Sequence, residues 1–110
     1  MTTKFSSEHL IQLNCILWFR NEYQRHGKGV IIPVPNELAA KRKDVEICKG
    51  ASDLIIALPG GIVLFCELKT AYNNQSPHQV AFQSLVVALG FQYKIIRSLE
   101  EFKEYIKKQI

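Results

Sequence analysis

Cysteine is scarce in this chain, and what there is does not pair. Cys15, Cys48 and Cys66 make an odd number with no CxxC spacing. That argues against a disulfide framework or a zinc knuckle, and for reduced thiols in a cytoplasmic protein. The first residues lack the basic-then-apolar pattern of a secretion signal. No apolar run nears the roughly 18 residues that a membrane span needs, so no membrane partner is expected. Repeats, linkers and low-complexity tracts are missing. So are RNA-recognition signatures and zinc-finger spacings, which leaves sequence-specific base reading without support. Charge of one sign is also limited: 14 Lys and Arg stand against 10 Asp and Glu, a net of +4. That excess suits a polyanion such as nucleic acid without requiring one.

What is present is a folded composition, with 47% hydrophobic and 22% charged residues over 110 positions. A chain of this length supports one core, so residues 1–110 are read as a single domain. Ser6 or Ser7 caps a first helix from about Glu8 to Tyr23, whose broad apolar face calls for cover. Gly27 and Gly29 end it. Val30 to Val34 reads as a strand, with Pro33 placing it at a sheet edge or strand end. Asn36 opens a short helix to about Val45. Two strands follow, Asp53 to Leu58 and Ile62 to Lys69, joined by Pro59-Gly60-Gly61. Ser76 and Pro77 then start a helix that Gly90 stops. Gln92 to Ile96 is a strand. Ser98-Leu99-Glu100-Glu101 reads as a capping box for the last helix, with Leu99, Phe102, Ile106 and Ile110 on its buried face. Trp18, Phe19 and Phe82 are read as core. The order α-β-α-β-β-α-β-α predicts an α/β fold.

The chemistry gathers on the hairpin "SDLIIALPGGIVLFCELK". A turn centred on Gly60 puts Asp53 opposite Glu67 on one face of the sheet, and Lys69 points to that face too. Two facing carboxylates destabilise a sheet unless something neutralises them. Lys69 can do so in a structural salt bridge. A divalent cation can also do so, since hard oxygen ligands suit Mg²⁺ or Mn²⁺. Geometry leaves both solutions open, and a one-residue slip in register would remove the cluster.

The Gly50-Ala51-Ser52-Asp53 segment, thirteen intervening residues and Glu67-Leu68-Lys69 resemble the motif of the PD-(D/E)xK nucleases. Glu8 with Gln12, Asn36, the Ser76 to Gln79 segment and the closing strand before "SLEEF" narrow that to a resemblance to the VRR-Nuc (virus-type replication–repair nuclease) family. Ser52 departs from the proline usual before the first acid. The resemblance implies a restriction-endonuclease-like core, a mixed sheet flanked by helices. It also implies a phosphodiesterase site with Asp53 and Glu67 as ligands of Mg²⁺ or Mn²⁺, and Lys69 orienting water or offsetting phosphate charge. Stand-alone phage and bacterial members of similar length imply a homodimer acting on branched or flapped DNA in the cytoplasm.

Further residues carry two readings each. Glu8 is a third metal-ligand candidate, or a first-turn glutamate favourable to the helix dipole. Gln12, one turn on, is a bridge toward the site and its nucleic acid, or a supporting polar residue. The resemblance puts Gln79 at the catalytic site, whereas its spacing from Ser76 is that of a capping box. His78 is most simply a solvent-facing residue. Lys41, Arg42, Lys43 and Lys49 are phosphate contacts or a solvated face. The expected function is a metal-dependent endonuclease on structured DNA, a four-way junction or flap. An inactive DNA-binding module and a non-enzymatic interaction domain are the alternatives.

Overall fold

The computed structural model describes residues 7–35, 50–70 and 72–110. The helix expected after Asn36, and with it Lys41, Arg42, Lys43, Cys48 and Lys49, lies outside the described residues. Helix α1 spans Ser7–Glu22 and runs into a short 3-10 turn, Gln24–His26. Strand β1 is Val30–Pro33, β2 is Leu54–Leu58 and β3 is Ile62–Leu68. Helix α2 covers Pro77–Ala88, β4 covers Gln92–Ile96, and α3 covers Leu99–Lys107. These elements form the expected α/β arrangement with a mixed sheet. No helix among the described residues is long and apolar enough to cross a membrane.

The sheet runs β1-β2-β3-β4. The first three strands are antiparallel meander neighbours. β4 is parallel to β3, and α2 makes the crossover that a parallel pair requires. β1 is an edge, which is where Pro33, lacking an N–H, is tolerated. Between β2 and β3 the pairs run from Leu54 with Cys66 to Leu58 with Ile62, the register expected for a turn centred on Gly60. Gly60 and Gly61 both take positive φ, 84° and 76°, which lets three residues reverse the chain.

Strand alternation divides the sheet into two faces. Ile31, Leu54, Ile56, Leu58, Leu64, Cys66, Leu68 and Ile96 point to one side, where Cys15, Ile16 and Phe19 of α1 and Phe102 and Ile106 of α3 complete the core. Trp18 joins that core edge-on to Phe102 and Tyr23. The other face carries Phe65 and Tyr93, which meet Phe82 of α2 edge-on. Two expectations are corrected. The apolar face of α1 is only partly covered, with Leu10, Leu13 and Leu17 exposed, because one helix face cannot meet both sheet and solvent. Ile110 lies past the end of α3 and is exposed rather than buried.

Candidate active site

The site forms where β2 begins and β3 ends. Asp53 stands just ahead of β2, and its backbone carbonyl still accepts from the Val34 N–H at 2.9 Å. Its side chain reaches across the hairpin, where Oδ2 accepts from the Leu68 N–H at 2.7 Å. Register thus carries Asp53 to the Glu67–Leu68 end of the neighbouring strand, as the turn arithmetic requires. Ser52, the residue that replaces the usual proline, is buried, and its hydroxyl donates to the Leu54 carbonyl at 3.3 Å. A local hydrogen bond therefore stands in for proline's fixed φ at the entry to β2.

Glu67 is fully buried, an unusual place for a carboxylate. Its Oε1 accepts from Gln75 Nε2 at 3.2 Å and from the Tyr93 hydroxyl in a short hydrogen bond. Its Oε2 is buried with no hydrogen-bond partner among the described residues. Lys69, also buried, holds its ammonium 3.8 Å from that oxygen, an ion pair too long to be a hydrogen bond. The Lys69 N–H donates to the Ile96 carbonyl at 3.0 Å, so β4 extends the ladder up to the site.

Electrostatics join these groups. Burial pushes the Asp53 carboxyl up to about 6; the Leu68 N–H opposes that, the charges of Glu67 and Glu8 add to it, and Lys69 offsets part of it. Glu8, from the first turn of α1, is therefore within electrostatic reach of Asp53. Asn73 holds it by donating to Glu8 Oε2 at 2.9 Å. Tyr93 is held well above the usual phenol range by burial and by its bond to Glu67, so its hydroxyl keeps its proton.

The helix after the motif is brought in by close backbone contact. Gly50 has φ +78°, and a Cβ there would lie 2.2 Å from the His78 carbonyl oxygen and 2.7 Å from the Gln79 nitrogen. Only glycine lets the lead into β2 lie against the start of α2. Gln79 makes the capping box: its Oε1 accepts from the Ser76 N–H at 2.8 Å, and its own N–H donates to Ser76 Oγ at 3.2 Å. The oxygen of Gln79 is thus committed to the cap. Gln12 is half-buried on α1, and His78 is exposed as read. At the last helix, Ser98 caps through the Glu101 N–H, but Glu101 Oε1 accepts from Arg97, one residue before the cap. Only half of the expected box forms there.

Three participants escape sequence reading. Tyr93 sits in a strand with no motif of its own, and Gln75 in a loop that reads only as polar. Arg97 donates to the Thr70 and Asn73 carbonyls, bracing the loop that carries Gln75. The one local hint is that residues 70–93 contain no Asp, Glu, Lys or Arg, so any partner that stretch gives to a buried carboxylate is a hydroxyl, an amide or a histidine.

A cation fits this chemistry. Glu67 Oε2 is a buried acceptor without a hydrogen-bond donor among the described residues, and Asp53 lies close enough for the two carboxylate charges to act on each other. Among the described residues no three His, Cys, Asp or Glu side chains gather closely enough to enclose an ion by themselves. Asp53 and Glu67 would therefore suffice only for a hard ion that keeps several waters and takes one or two carboxylates.

No family model matches the sequence, and no curated protein matches it. Solved structures do. A structure described as "VRR_NUC domain" superimposes with a TM-score of 0.69 at 20% identity, over 96% of this chain and 100% of that one. Another, a "VRR_NUC domain protein", superimposes at 0.74 with 21% identity, over 98% and 91%. At such identity what is shared is the backbone architecture, along nearly the whole length of both. The resemblance read in the motif therefore has its counterpart in three dimensions, and this chain has the VRR_NUC fold.

Proposed function

We propose that the protein is a metal-dependent endonuclease that hydrolyses phosphodiester bonds in structured DNA, a four-way junction or a flap. The observation that carries this reading is the buried Oε2 of Glu67, which has no hydrogen-bond donor among the described residues and only a long ion pair to Lys69, beside Asp53 on a VRR_NUC fold. Asp53 and Glu67 would hold Mg²⁺ or Mn²⁺, with Glu8 adding negative charge or a ligand from α1. When bound, the cation supplies an acidified water and a counter-charge for the phosphoryl oxygens. Lys69 orients the attacking water or offsets charge on the scissile phosphate. Gln79 stiffens the start of α2 beside the site through its cap. Lys41, Arg42, Lys43 and Lys49, with Gln12, are the proposed backbone contacts, which position DNA without reading its sequence. A homodimer would present two sites to two strands, as symmetric cleavage of a junction needs. The cytoplasm is the compartment such a substrate implies.

A purely structural Asp–Glu–Lys trio is the second reading, supported by the Lys69–Glu67 ion pair. A buried ion pair stabilises only with close geometry, and Lys69 meets Oε2 at 3.8 Å with no hydrogen bond to that oxygen from the described residues. A bound cation would give that oxygen a close partner, which the long ion pair does not. A cleavage panel of duplex, single-stranded, flap and four-way DNA with Mg²⁺ or Mn²⁺ tests the proposal. Cleavage of a branched substrate is expected; folded protein that cuts none of them sinks it.

A further inference from the structure

Glu67 has two carboxylate oxygens in very different surroundings. Oε1 receives two donors, Tyr93 from β4 and Gln75 from the loop before α2. Oε2 receives none. The difference is built by separate parts of the chain. Tyr93 is placed by the parallel ladder, where it pairs with Phe65, two residues before Glu67 and on the same face. Its ring is packed edge-on against Phe82, so the hydroxyl is aimed by packing. Gln75 is oriented by a further bond, since the same Nε2 also donates to Gln83 Oε1 at 2.8 Å. Both amide hydrogens are therefore spent on acceptors, and the amide cannot turn over without losing both bonds.

A glutamate with free rotation about its last bond presents either oxygen, or neither, to a ligand. Two donors on one oxygen set the plane of the carboxylate and decide which oxygen is left. Burying the remaining oxygen without a donor costs free energy in the metal-free protein. That cost is recovered when a cation binds there. We infer that Tyr93 and Gln75 are positioning residues, which clamp Glu67 by Oε1 and thereby reserve Oε2 for the cation.

The inference rests on the metal-dependent reading proposed above, and its test separates the two. Tyr93→Phe removes the hydroxyl while keeping the ring against Phe82, and Gln75→Ala removes the second donor. Mn²⁺ binding is measured by calorimetry on wild type and both variants, beside the thermal midpoint of each metal-free protein. Loss of such an orienting partner is expected to weaken Mn²⁺ binding about tenfold in each variant, with midpoints close to wild type. Because the defect lies in holding the ion, cleavage lost at limiting Mn²⁺ should return when Mn²⁺ is raised in proportion; a general packing defect would not respond to metal. Should Tyr93→Phe fold poorly, Gln75→Ala carries the same test from an exposed loop. If both variants bind Mn²⁺ as wild type does, the clamp is overturned and the nuclease reading stands. If wild type binds no Mn²⁺, both are overturned.

Discussion

Asp53 and Glu67 are two acids brought to one end of a hairpin, and the burial of Asp53, with the Glu67 charge adding to it, costs stability. Asp53 titrates near 6 in the folded chain against 3.8 as a free side chain. Its folded value is raised, so its contribution is fully present below pH 4 and is lost as pH rises through about 6. The loss is about 2 kcal/mol once its partial exposure is allowed for. Denaturant titrations of metal-free protein should show stability falling across that window, and Asp53→Asn should flatten the fall. The Asn oxygen can still accept from Leu68, so the fold is retained. Mn²⁺ should restore wild-type stability at pH 7 and leave Asp53→Asn unchanged; equal restoration of both would remove Asp53 from the ligand set. Lys69 belongs to the same scale. Its ammonium is buried 3.8 Å from a carboxylate oxygen that has no hydrogen bond from the described residues, and in the proposed mechanism it would act on a bound phosphate. Lys69→Ala should abolish cleavage while DNA binding, followed by mobility shift, persists.

Elements place these residues through backbone contacts that tolerate no extra atoms. Gly50 combines a positive φ with an approach to α2 that a methyl group would block. Gly50→Ala should therefore destabilise the protein by about 2–3 kcal/mol and separate β2 from the start of α2. The expected result is a lowered unfolding midpoint together with reduced cleavage. Ser76→Ala removes the oxygen that accepts from Gln79 and should cost about 1 kcal/mol, read in the same unfolding experiment. The hairpin is the element most legible from the sequence. Apolar alternation on both arms and paired glycines at the turn leave one register in which the apolar residues meet α1 and α3. The capping box at Ser76 was legible for the same reason, being a contact between residues three apart. Its legibility also cut against the catalytic expectation for Gln79, whose oxygen the cap occupies.

At the scale of the whole molecule, apolar surface remains without a partner. Leu10, Leu13 and Leu17 are exposed on α1, and Leu85, Val87 and Leu89 are exposed around the end of α2. The α2 surface lies within the stretch from 70 to 93 that has no Asp, Glu, Lys or Arg. A two-fold contact sets a patch against its own copy, so an uncharged patch avoids the repulsion that a net +4 chain otherwise meets. If the proposed homodimer forms there, the pair Leu85→Glu and Leu89→Glu should yield monomers by sedimentation, while Leu13→Glu leaves the dimer intact. The reverse pattern would move the interface to α1.

The sequence by itself determined the elements and the hairpin, because helix caps, strand alternation and a glycine turn act between residues near one another along the chain. Asp53, Glu67 and Lys69 came together on paper for that reason: one turn relates them. Tertiary structure alone decided what surrounds them. Tyr93 reaches Glu67 through a parallel pairing made possible by the whole of α2, and Glu8 approaches Asp53 because α1 packs across the sheet. Gln75 is aimed by Gln83, on the far side of a cap. These contacts span from 8 to 65 positions of sequence. No local propensity encodes contacts at that range, since they exist only once the core has packed the elements against each other. The hairpin brings two acids to one place; the packed fold decides which oxygen of Glu67 stays open.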